Sequence, residues 1–216
     1  MVKRQKFINR IVILGPQGSG KGTQADILAK RLRLPHISTG DIFRSHLKFQ
    51  TALGHRVQRL IDSGRLVPDH ITNVIIKQRI SKPDCRPGFI LDGFPRTLTQ
   101  AKFLERIAPP TIVIMLELTN HEAIKRLSGR RIAADGSIYH LKFNPPPKSL
   151  RARLFIRDDD RPSAVRKRLV LFRRQVAPLL RFYRSKGRLE KVNAKPPIAK
   201  VTLVVGQSLR RRSMAG

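Results

Sequence analysis

The stretch Gly15-Pro-Gln-Gly-Ser-Gly-Lys-Gly-Thr23 limits what this chain can fold into more than any other. Two glycines with four residues between them, Gly15 and Gly20, and lysine after the second form a loop whose backbone N–H groups turn inward around an anion. The lysine adds a mobile cation, and the start of the following helix adds positive potential. The flanks agree with this reading. Arg10-Ile-Val-Ile-Leu14 is a short β-branched run of the kind buried in a parallel sheet, and beyond Lys21 the apolar residues Ile27, Leu28 and Leu32 recur at helical spacing until Leu34-Pro35 stops them. Strand, glycine loop and helix in that order predict a phosphate-binding α/β unit.

Further apolar strands are expected at 88–92, 111–117 and 189–193, separated by amphipathic segments at 97–107, 120–128 and 163–185. Strands alternating with helices predict an α/β fold with a doubly wound parallel sheet. Two intervals break the alternation. Residues 38–67 carry short helical patterns, and 131–157 are rich in proline and arginine with a turn at Asp135-Gly136. Both read as lobes inserted into the sheet domain, of a size suited to lids.

Composition narrows the setting. The 216 residues fit one core, and no apolar run approaches the roughly 20 residues a bilayer span needs, so a soluble protein without membrane contact is expected. The single Cys85 rules out an internal disulfide framework and a four-thiolate zinc site, which points to a reducing intracellular compartment. The opening Met1-Val-Lys-Arg-Gln-Lys-Phe7 lacks the apolar core of a secretory signal; as a mitochondrial presequence it would be very short.

The residue after Lys21 is Gly22, which displaces the hydroxyl usually next to that lysine to Thr23. Mg²⁺ would then be held by phosphates and water, and Asp92, expected at the carboxyl end of a strand, is the candidate to hold those waters.

Four more stretches, taken with the loop, resemble adenylate kinases of the long-lid type. They are Ser38-Thr-Gly-Asp-Ile-Phe-Arg44; Leu91-Asp-Gly-Phe-Pro-Arg-Thr97; Gly129-Arg-Arg131 with Ile138-Tyr-His140 and Phe143-Asn-Pro-Pro146; and Arg157-Asp-Asp-Asp160 with Val165-Arg-Lys-Arg168. They stand in the family's order, and the likeness runs from about residue 10 to about 200. The resemblance implies a core of residues 8–37, 68–129 and 161–205, an AMP-binding lobe at 38–67 and a lid at 130–160, with 206–216 left as a flexible basic tail. It implies that Thr39, Arg44, Arg65, Val67, Gly93, Arg96 and Gln100 bind the monophosphate. Gly18, Ser19, Gly20, Lys21, Gly22, Thr23, Arg126, Arg130 and Tyr139 would bind the triphosphate. Lys21, Arg96, Arg130, Arg157 and Arg168 would act on the phosphoryl group in transit, together with Asp92. Reversible Mg²⁺-dependent transfer from ATP or GTP to AMP is the activity implied, by a monomer.

The chemistry suits that assignment, because phosphoryl transfer spreads charge over three equatorial oxygens and needs positioned cations more than a base. Arginine binds such oxygens in a planar fork and stays charged. His140 is therefore expected to serve the lid's structure, and Asp158, Asp159 and Asp160 to pair with arginines, a metal-ligand role being the alternative. The lid departs from its relatives. Pro147-Lys-Ser-Leu-Arg-Ala-Arg-Leu-Phe-Ile156 is short and basic where an acidic stretch is usual, and zinc-binding cysteines are absent.

A formal net charge of +31 exceeds what nucleotide binding requires. Arg166, Arg173, Arg174, Arg181, Arg184 and Arg188 fall near helical periods and would form a basic stripe. Two readings stand: a solvated face on a free enzyme of the cytoplasm or mitochondrial matrix, or a surface binding rRNA or ribosomal proteins in a ribonucleoprotein such as a mitochondrial ribosome.

Overall fold

Strands β1 (Arg10–Leu14), β2 (His36–Ser38), β3 (Phe89–Asp92), β4 (Ile112–Glu117) and β7 (Leu189–Asn193) form one parallel sheet in the order β2-β3-β1-β4-β7. The computed structural model describes residues 10–63, 65–156, 160 and 162–214. The sheet is the doubly wound one that the sequence predicts, with β1 at its centre.

Side-chain alternation along β1 divides the core. Ile11 and Ile13 pack with Ala25 and Leu28 of α1 (Lys21–Leu32) and with Val201, Val205 and Leu209 of α8 (Ile198–Met214). Val12 and Leu14 face the other way, toward Ile76 of α4 (Asp69–Ile80), Leu104 of α5 (Leu98–Ile107) and Leu179 and Tyr183 of α7 (Pro162–Ser185). Each fully buried aliphatic side chain contributes about 1.5–3 kcal/mol, so this strand anchors both layers.

Two excursions leave the sheet. Between β2 and β3 stand α2 (Thr39–Lys48) and α3 (Ala52–Asp62), which share a small core of Phe43, Val57 and Val67. Ser38 caps α2 by accepting from the Asp41 N–H, and Thr51 caps α3 by accepting from the Gly54 N–H. After α6 (Asn120–Ser128) the chain forms an antiparallel hairpin of β5 (Arg130–Ile132) and β6 (Ile138–His140). Its turn is closed by Asp135, which accepts from the Ser137 N–H at 2.8 Å and hydroxyl at 2.9 Å.

The structure corrects the sequence reading at three places. Strand β2 lies where no strand is expected, because three residues with one buried apolar side chain, Ile37, carry no periodic signal. The 206–216 segment, expected to be a flexible tail, continues α8 as helix to Met214. Val201, Val205 and Leu209 recur every fourth residue and dock that face on the sheet, while the arginines stay on the outside. Arg188 leaves the basic stripe, since it follows the end of α7 and donates from Nη1 to both carboxylate oxygens of Glu105 at 2.9 and 2.8 Å. Among the described residues no helix is long and apolar enough to cross a membrane.

Candidate active site

Parallel strands gather their carboxyl ends at one edge of the sheet, and the loop after β1 starts the site there. Gly18 has φ of 78°, and a Cβ on it would lie 2.8 Å from the Ala123 carbonyl oxygen, so glycine alone fits. Gly20, also left-handed, delivers the chain into α1 with no side chain capping the first turn. The free N–H groups at that helix start face the cleft beside Lys21, Gly22 and Thr23, all of which line it. Ser19 differs from the expected set. Its side chain is buried, its hydroxyl has no partner among the described residues, and it does not line the cleft.

Lys21 bends back, its ammonium donating to the Pro16 carbonyl at 2.9 Å. Burial, aided by the positive charges of Arg96, Arg168 and Arg130, lowers its pKa to about 8 against the attraction of Asp92. Asp92 ends β3 between Ile13 and Ser38 in register, with its Oδ1 buried and without a hydrogen-bond partner among the described residues. A Cβ on Gly22 would stand 3.5 Å from Asp92 Oδ2. A carboxylate that lines the cleft with Oδ2 beside the glycine loop and Oδ1 without a partner among the described residues fits a hydrated divalent cation. Among the described residues no group of three His, Cys, Asp or Glu side chains forms a metal cage, so such an ion would depend on phosphate oxygens and water.

The residues expected to bind the monophosphate converge. Thr39, Arg44, Arg65, Val67, Gly93, Arg96 and Gln100 line one pocket, with Phe43, Leu66, Thr72 and Arg168. Gly93 organises it: its carbonyl accepts from the Thr39 hydroxyl at 2.9 Å and from Arg96 Nε at 2.7 Å. Arg44, bonded to Asp41, lies over Gly40, where a Cβ would come within 3.0 Å of its guanidinium. Arg44, Arg96 and Arg168 also line the larger cleft over the glycine loop, so the two pockets meet at three guanidinium groups.

On the other side stand the hairpin residues Tyr139 and His140, with Arg126 and Arg130. Arg130 makes a two-point ion pair with the buried Asp160, Nε donating to Oδ2 at 2.7 Å. Arg126 Nη2 donates to the Ala194 and Lys195 carbonyls at 2.9 Å each, which ties the loop after β7 to the end of α6. Burial holds its pKa below the usual arginine range. His140 is structural, its Nδ1 accepting from the N–H groups of Lys142 at 3.0 Å and Phe143 at 3.1 Å. Arg157, with Asp158 and Asp159, lies outside the described residues.

Sequence reasoning missed His36 and Asp69. His36 Nδ1 lies 2.7 Å from Asp26 Oδ1 and its Nε2 faces Asp92 Oδ2 at 3.9 Å. Burial pulls its pKa down, but the Asp26 hydrogen bond and the charges of Asp92, Asp26 and Asp41 outweigh it and raise the value. Neither residue belongs to a local motif, and their partners are distant in sequence.

A family model described as adenylate kinase matches residues 13–188. The chain is 44% identical over 213 residues to an adenylate kinase of Methanocella arvoryzae, covering 94% of this chain and 99% of the relative. It is 45% identical over 196 residues to one from Treponema denticola, covering 88% and 94%, and 43% identical over 213 residues to one from Moorella thermoacetica, covering 94% and 98%.

Proposed function

The chain belongs to the adenylate kinase family of phosphotransferases, and from that premise we propose how its residues divide the work of moving a phosphoryl group from ATP to AMP. The observation that carries the reading is two cation-lined pockets meeting at Arg44, Arg96 and Arg168, with Lys21 beside the junction.

The triphosphate lies along the loop of Gly18 to Thr23, its oxygens taking the N–H groups at the start of α1. Lys21 leaves the Pro16 carbonyl for the transferring phosphoryl group. Tyr139 lies along the donor nucleotide and Arg126 beside it. AMP occupies the pocket of Thr39, Arg65, Val67 and Gln100, with Arg44 on its phosphate. Arg96, Arg130 and Arg168 surround the group in transit and hold donor and acceptor in line, a role that the family resemblance extends to Arg157. No residue need act as base, because the attacking oxygen belongs to a phosphate already ionised at neutral pH. Asp92 would hold Mg²⁺ through its waters. When bound, that ion neutralises charge developing on the β- and γ-oxygens.

A coupled assay with Mg²⁺ and AMP should show turnover with ATP exceeding that with GTP. Lys21→Met should cost roughly 10³-fold or more in kcat; full activity in that variant would overturn the assignment. Phosphate bound at Lys21 favours its charged form, so nucleotide binding above pH 8 should take up protons. Calorimetry in two buffers of different ionisation heat reads that uptake.

A second reading concerns the charge. Arg166, Arg173, Arg174, Arg181 and Arg184 are exposed on α7, a helix with no acidic residue, over about 27 Å, and the described residues show no ion pair for them. That stripe favours contact with RNA phosphates, though the relatives' names lend a ribosomal or mitochondrial setting no support. Sedimentation of a cell extract should place the chain with ribonucleoprotein at low salt and release it at high salt. Recovery only in the soluble fraction at low salt would remove this reading.

A further inference from the structure

A glutamine amide can read adenine or guanine, depending on which way round it lies. Adenine presents a donor at N6 beside an acceptor at N1, whereas guanine presents an acceptor at O6 beside a donor at N1. With the ribose and phosphate held in place, one order of oxygen and nitrogen matches adenine and the reverse order matches guanine. Turning the amide over interchanges the two, so discrimination by such a residue depends on whatever fixes its order.

Gln100 has its order fixed twice over. Its Oε1 accepts from the backbone N–H of Arg96 at 2.7 Å, a group that can only donate. Its Nε2 donates to Asp69 Oδ1 at 2.7 Å, and a carboxylate can only accept. Turned over, the amide would set its NH₂ against an N–H and its oxygen against a carboxylate oxygen. The residue is 1% exposed, so little water is at hand to compensate. One lone pair on Oε1 and one N–H on Nε2 remain for a base. Asp69 is itself held, its Oδ2 accepting from the Thr97 hydroxyl at 2.7 Å, while Thr97 Oγ1 accepts from the Gln100 N–H at 3.1 Å. Asp69 opens α4 and Thr97 caps α5, so two helix starts clamp the amide from behind. Asp69 does not line the pocket that Gln100 lines.

We propose that Asp69 is a specificity-positioning residue: by locking the Gln100 amide in one order it makes the acceptor site accept AMP and reject GMP. This rests on the reading of that pocket as the monophosphate site. The lock works by cost. GMP must either leave two polar edges mismatched or turn the amide against both its partners, and a site built to pair with a hydrogen-bonding edge rejects a mismatched one strongly.

Asp69→Asn tests it. The new side chain keeps the size but can present either oxygen or nitrogen to Gln100, so half of the lock is released. The ratio of kcat/KM for AMP to that for GMP should fall roughly 10- to 100-fold, through a gain with GMP as well as a loss with AMP, while Tm changes little. Asp69→Glu, which again offers only acceptors, should recover part of the ratio. A ratio within about twofold of wild type in Asp69→Asn would overturn the proposal, as would a loss with AMP alone that tracks a fall in Tm, since Asp69 would then merely join two helices. Failure of the underlying reading looks different, because Gln100→Ala would then leave the KM for AMP unchanged.

Discussion

The α2–α3 lobe and the β5–β6 hairpin both line the cleft, but they are held together in different ways. The lobe has an interior: Val57 is fully buried and Phe43 nearly so, and Leu53, Ile61, Ile71 and Ile75 pack around them. Its two helices come so close that a Cβ on Gly54 would lie 2.3 Å from the His46 carbonyl oxygen. The hairpin buries Ile132 and Ala133 but leaves Ile138, Leu141, Phe143, Phe155 and Ile156 about half exposed. Its cohesion comes from strand pairing, the Asp135 turn and the contacts of His140. A packed lobe moves as one body. A hairpin with little core opens locally at low cost.

The sharpest way to break this comparison is a pair of phenylalanines. Phe43→Ala should cost about 3–5 kcal/mol by denaturant unfolding, with a raised KM for AMP, whereas Phe143→Ala should cost under about 1 kcal/mol. Equal losses would mean that the hairpin has a core after all. Next in size is Gly129→Ala, whose Cβ would lie 2.5 Å from the His140 ring. Overpacking there should cost about 1–3 kcal/mol, felt locally: faster amide exchange in the hairpin and a higher KM for ATP, with Tm and the KM for AMP nearly unchanged. Asp135→Ala should loosen the turn by about 1 kcal/mol, read as exchange at the Ser137 amide.

The smallest effect is one of pH. Burial, with the charges of Arg126 and Arg131, holds the His140 pKa below its ordinary 6.5, and its Nδ1 can accept two N–H groups only while neutral. A histidine lowered in the fold stabilises above the unfolded value and loses that contribution as pH falls through the folded one. The Lys142 and Phe143 amides should therefore be protected at pH 7 and lose protection toward pH 5. The α2–α3 lobe should not respond in step, and equal loosening of both would blunt the comparison.

How far the sequence could be read follows the same division between local and distant causes. The glycine loop, Asp92 at a strand end and four of the five sheet strands are written in consecutive residues, since apolar runs and glycine spacing are local signals. Strand β2 was not legible, because pairing with β3 rather than its own three residues makes it a strand. Helix α8 was masked by Arg210, Arg211 and Arg212, which drew attention from the buried Val201, Val205 and Leu209 face. Within the site, the arginines came from a resemblance of motifs. Asp69 could not be found that way, since its partners Thr97 and Gln100 lie 28 and 31 residues along the chain.

The crowding of Arg96, Arg130 and Arg168 around Lys21 bears on how the folded chain resists unfolding. Repulsion among these cations is relieved when phosphate enters, so nucleotide binds the folded chain and not the unfolded one, stabilising it by about 2.7 kcal/mol at a hundred times Kd. A cell that drains its adenine nucleotides strips that protection away and exposes the chain to its proteases. Resistance of the chain to protease should then rise and fall with the nucleotide concentration around it.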